Sequence, residues 1–117
     1  MLKLVNCFLL ILLLCCTTIA SLPDEPKPPI IQTIGTLAKY EAQLSEYVMY
    51  LVTFLSKTKV KVNDPNYPEY TYPDLSTLKD EHSITSIKHN IKLLLEYIER
   101  TKPIAKKVYN TYSQLKM

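Results

Sequence analysis

The sequence predicts an all-α fold, either an antiparallel helical hairpin or a small three-helix bundle, and three observations carry that expectation. Among 117 residues there is one glycine, Gly35, which argues against β-hairpins and phosphate-cradling loops because both draw on glycine's backbone freedom. Two long stretches place apolar residues three and four positions apart, the repeat of a helix with one buried face. Seven of the eight prolines lie outside those stretches, so the helices are largely free of breakers.

Residues 1–20 read as a signal peptide. Lys3 supplies the positive start, Cys7 to Cys16 is an unbroken apolar run, and Thr18-Ile19-Ala20 offers small residues for cleavage. The run is too short to span a bilayer, which takes roughly twenty apolar residues. Cleavage after Ala20 leaves 97 residues, one domain with a modest core, and lowers the net charge from +3 to +2. All three cysteines, Cys7, Cys15 and Cys16, fall in this leader, so the expected mature chain is free of disulfides. That excludes small disulfide-stapled scaffolds.

Residues 21–29 hold four prolines and are expected to form an extended, disordered arm. A first helix is expected over residues 30–56. Its seam is Ile34, Leu37, Leu44, Val48, Leu51 and Leu55, with Glu41 a polar intruder and Tyr40, Tyr47 and Phe54 widening one edge. Residues 57–73 interrupt the pattern. Lys57 to Val62 alternates polar and apolar and could be extended, and Asn63 to Pro73 packs three prolines and three tyrosines into a segment that cannot be helical. Asp74 or Ser76 is the expected cap of a second helix over residues 75–116.

That helix has the most regular seam: Ile84, Ile87, Ile91, Leu94, Ile98, Ala105, Val108, Tyr112 and Leu115, with Thr101 its one polar member. Pro103 lies inside it, yet the phase is the same on both sides, and no capping residue stands between Thr101 and Ala105. One helix kinked at Pro103, with the proline toward solvent, is therefore preferred to two helices joined by a turn. A two-helix hairpin leaves one side of each stripe open, so self-association or a partner supplying the missing wall is expected.

The chemistry of enzymes is hard to place. The mature chain offers no cysteine nucleophile, and its two histidines, His82 and His89, sit one heptad apart, about 10 Å along a helix, too far to share one zinc. No catalytic, cofactor-binding or metal-binding residues are assigned. Two surfaces remain. Met49, Tyr50, Tyr67, Tyr70 and Tyr72 are candidate partner-binding residues, because nine tyrosines against two phenylalanines and no tryptophan give most aromatic surface a polar tip. Arg100, Lys102, Lys106, Lys107 and Lys116 follow the last acidic residue, Glu99, and form a candidate surface for anionic lipid or glycan. The same cations also suit the carbonyl end of a helix. Nucleic acid is not an expected partner, given the small net charge and the absence of a binding motif.

The helix Leu37-Ala-Lys-Tyr-Glu-Ala-Gln-Leu-Ser-Glu-Tyr-Val-Met-Tyr-Leu51, the loop Asp64-Pro-Asn-Tyr-Pro-Glu-Tyr-Thr-Tyr-Pro-Asp-Leu75 and the helix after it resemble one part of a known family. That part is the first helix, aromatic-proline loop and second helix of the helical cytokines related to cardiotrophin, ciliary neurotrophic factor and leukaemia inhibitory factor. The resemblance covers residues 30–98 and implies a receptor-binding ligand. Such cytokines need four long helices. Their receptor-contacting Phe-x-x-Lys element begins the fourth, whereas Phe54-Leu-Ser-Lys57 here ends the first, so that role is not carried over.

The leading expectation is thus a secreted, extracellular, non-catalytic helical ligand acting on a cell-surface receptor or other protein. The alternative is a lipid- or membrane-associating amphipathic protein, like an apolipoprotein or a host-defence helix. A third reading is a self-assembling coiled coil.

Overall fold

The computed structural model describes residues 22–113, and the expectations for the leader, Leu115 and Lys116 lie outside them. Two helices of equal length pack on each other: α1, Ile34–Val62, and α2, Ile84–Tyr112. A single 3₁₀ turn, Leu75–Thr77, interrupts the connection between them. The described residues contain no strand.

α1 begins four residues later than expected because Thr33 and Thr36 form a capping box. The Thr36 amide donates to Thr33 Oγ1 (3.1 Å), and the Thr33 amide donates to Thr36 Oγ1 (2.9 Å). It also ends later, carrying Lys57 to Val62 as a further helical stretch in place of an extended segment. Thr58 is buried there, and Lys59 and Lys61 occupy the last turn, where cations offset the carbonyl dipole. Asn63 then turns left-handed (φ 46°, ψ 50°) and its amide closes on the Lys59 carbonyl. α2 starts at Ser83, whose hydroxyl accepts from the Ser86 amide. Asp74, one of the two expected caps, holds the short 3₁₀ turn instead.

α2 runs unbroken through Pro103, so the three-helix alternative is excluded and no kink is seen. The proline is exposed, while Thr101, Ala105 and Val108 on either side are buried and keep the helix seated. Both seams are occupied largely as the spacing demands. Leu44, Val48, Leu51, Leu55, Ala105 and Val108 are sealed from solvent, whereas the first member of each seam, Ile34 and Ile84, stays partly exposed at its helix end.

The helices are parallel, not antiparallel. The Asn90 amide donates to Glu41 Oε1 (2.6 Å) near both N-termini, and the Tyr112 hydroxyl donates to Asp64 Oδ2 (2.8 Å) at both C-terminal ends. The connection makes this geometry feasible. A 29-residue helix is about 43 Å long, and the 21 residues from Asn63 to Ser83 can reach about 70 Å, so they can run back along the pair. Spacing fixes which face of a helix is apolar and says nothing about its direction.

The sides of the pair are closed by two extended segments. The connection covers one groove between the helices. The proline-rich arm, expected to be disordered, lies in the other: Leu22 packs on the core, and Glu25 makes a 3.3 Å ion pair with Lys102. The open wall inferred for a bare hairpin is therefore supplied from within the chain. No buried side-chain polar atom among the described residues lacks a hydrogen-bond partner.

Candidate functional site

On the connection side the tyrosines form a belt. Tyr67 is a core residue, 8% exposed, with its hydroxyl donating to the Leu55 carbonyl (2.7 Å) and its ring 5.6 Å from that of Tyr112. Tyr70 is half-buried, bonds Ser56 Oγ (2.9 Å) and meets the rings of Tyr67 and Tyr72 edge-on. Tyr97 reaches over from α2 to donate to the Thr71 carbonyl (2.6 Å). Tyr72 alone of the loop tyrosines stands largely in solvent, 66% exposed. It lines a groove of about 500 Å³ with Lys59, Val60, Glu69, Arg100 and Ile104. Met49 and Tyr50 are partly exposed, and Tyr50 stacks on Phe54 (6.3 Å). The five candidate partner-binding residues are thus not one surface. Tyr67 and Tyr70 are spent on closing the fold, leaving Tyr72, Met49 and Tyr50 accessible.

The electrostatics follow the burial. Removal from water pushes the Tyr67 phenol up to about 12, with the Tyr70 and Tyr112 rings adding to the shift. Burial also raises Tyr40, Tyr47 and Tyr97, whereas hydrogen bonds from Ser56 and Tyr70 hold Tyr72 below its ordinary value. The Asn66 amide and the Tyr112 hydroxyl hold the Asp64 carboxyl down. An absorbance titration should therefore resolve an early Tyr72 step and a last step near 12 that vanishes in Tyr67→Phe. A raised phenol favours the fold fully below its unfolded value of 10.0, and that contribution is lost as pH rises through about 12. Wild type should accordingly lose more stability than Tyr67→Phe across this interval; equal losses would contradict the assignment.

The candidate basic residues also divide. Lys102 and Lys106 line the arm-side groove with Glu25, whereas Arg100 leans over the Tyr97 ring (5.9 Å) on the connection side. Lys107 is exposed, and Lys116 lies outside the described residues. His82 precedes the helix cap Ser83, so the two histidines do not share a helix face. Among the described residues, no three histidine, cysteine or acidic side chains come together to hold a metal. No helix among them is long and apolar enough to cross a membrane.

Comparison with known proteins gives two findings. The profile of the Borrelia orf-D family matches residues 21–114. An outer membrane lipoprotein of Borreliella burgdorferi is 54% identical over 99 residues, covering 85% of this chain and 82% of the relative. These overturn the cytokine resemblance and, with it, the reading of a freely secreted, extracellular cytokine-like ligand. The spacing behind that resemblance belongs to any pair of amphipathic helices joined by an aromatic, proline-rich segment. Two further residues bear on that relationship, Cys15 and Cys16. Their place at the end of an apolar leader run is a signal that a reading as disulfide partners alone does not use.

Proposed function

The chain belongs to the Borrelia orf-D family, and on that footing we propose that it is an envelope lipoprotein, held at the outer membrane by lipid on Cys15 or Cys16 and non-catalytic in its folded part. The observation that carries this is the 54% identity to an outer membrane lipoprotein over most of both chains. The leader supports it: a lysine, an apolar run, and two cysteines at the end of that run. In a bacterial lipoprotein the leader is cut just before a cysteine whose sulfur carries the lipid. One acyl chain holds a protein only marginally and reversibly, so firm anchoring takes at least two.

With such an anchor the helices need not bind lipid through their apolar stripes. Those stripes are buried against each other, the connection and the arm, so membrane association falls to the leader cysteine. Detergent phase partition in a lipoprotein-processing bacterial host is the test. The wild-type chain should enter the detergent phase and take up labelled palmitate. The Cys15→Ser, Cys16→Ser double variant should do neither. A wild-type chain left in the aqueous phase without label would refute the anchor.

A further inference from the structure

Two independent features bear on how such an anchored domain would sit. The first is tether length. Leu22 already packs against the core, so five residues, 17–21, separate Cys16 from the folded body. Fully extended they reach about 20 Å, and an anchor at Cys15 adds one residue more. The arm enters the fold along one groove, with Pro23, Asp24 and Lys27 beside Gln43 and Tyr47 of α1, and Glu25 against Lys102 of α2. The side of the domain closest to the anchor is therefore the arm side.

The second feature is charge. Beside the arm, Lys27 and Lys39 border one groove and Lys102 and Lys106 another, while Lys57 and Lys61 line a groove further along α1 that shares Tyr50 with the arm's own. Lys88 and Lys92 extend the α2 stripe by the helical repeat 88, 92, 95, 99, 102, 106. The acidic residues on this side are Asp24, Glu25, Glu46 and Glu99, and Glu25 is paired with Lys102. The opposite side is covered by the connection, which from residue 63 to 83 carries Asp64, Glu69, Asp74, Asp80 and Glu81 against one cation, Lys79, with Lys59 and Arg100 of the helices bordering it. The basic side is also the tethered side.

We propose that the arm side of the domain rests on anionic lipid headgroups, with α1 and α2 lying along the bilayer and the acidic connection facing away. The proposal rests on the lipid anchor inferred above. A tether of at most about 20 Å lets the arm side touch the surface, and once a lysine is within the screening length, about 8–10 Å, each basic side chain strengthens the contact about fivefold. Anionic lipid is therefore the occupant that both charge and tether favour.

The experiment uses the full lipidated chain in vesicles of phosphatidylcholine with and without phosphatidylglycerol. The folded body holds no cysteine, so reporters can be placed at Gln43→Cys, exposed beside the arm, and Val60→Cys, 81% exposed in the Tyr72 groove, each read against the unsubstituted chain labelled in parallel to subtract a Cys16 thiol left free by an anchor at Cys15. With phosphatidylglycerol present, a fluorophore at residue 43 should be quenched from water at least about fivefold more slowly than without it, the effect of a single lysine, and one at residue 60 should be unchanged. Lys92→Glu with Lys106→Glu, both exposed and so compatible with folding, should abolish the difference. Equal quenching at the two sites in vesicles that still carry the chain overturns the orientation and leaves the anchor standing. Wild-type chain that does not float with vesicles overturns the anchor and the orientation together.

Discussion

Replacing Asn90 by alanine should lower the folding free energy by about 3 kcal/mol, among the largest losses expected from a single polar side chain here. Asn90 is 4% exposed and ties three parts of the chain together. Its carbonyl accepts from the Lys79 amide (2.8 Å), and its amide donates to the Lys79 carbonyl (2.8 Å) and to Glu41 Oε1 (2.6 Å). Truncation leaves a backbone donor, a backbone acceptor and a carboxylate short of a partner at once, and such losses exceed the worth of the bonds themselves. For a domain of this size the melting temperature should fall by roughly 10–20 °C. Urea unfolding followed by circular dichroism measures it. A loss under about 1 kcal/mol would mean that water replaces the amide and that Asn90 does not pin the connection.

The second large effect is at Tyr67. Tyr67→Ala should cost about 3–4 kcal/mol, the range for emptying a buried aromatic site, because the ring fills the groove between Leu55 and Tyr112. Tyr67→Phe keeps the ring and loses one hydrogen bond, so about 1 kcal/mol is expected. Tyr72→Ala, at an exposed position, should stay within about 0.5 kcal/mol. The same denaturation series reads all three. Similar values at residues 67 and 72 would refute the division of the tyrosine belt into structural and accessible members.

Much of this architecture is legible in the residues, within limits set by physics. The three-and-four spacing marks Leu44, Val48, Leu51, Ile98, Ala105 and Val108 as core, because helical periodicity reports a face directly. It equally shows that α2 can pass Pro103, since the phase does not slip there. Direction is a different kind of information. Glu41 and Asn90 both sit early in their helices, and their pairing is what distinguishes a parallel arrangement. On its own, Glu41 reads only as an intruder in an apolar seam. The arm escapes a compositional reading for a related reason. Four prolines do exclude helix, but extended chain packs well in a groove when Leu22 and Glu25 find partners. As for the candidate site, residue type separates neither Tyr67 from Tyr72 nor Lys102 from Arg100, because burial and side are set by contacts between distant segments.

The parallel pairing also shapes how the chain folds. In a helical hairpin the first contacts form beside the turn and the rest close in succession, each over a short extra loop. Here Glu41 meets Asn90 across 49 positions and Asp64 meets Tyr112 across 48, so both ends of the pair require closure of the same long loop. No end can zip first at lower entropic cost. Hydrogen exchange should consequently find the cores of α1 and α2 opening together, as one cooperative unit.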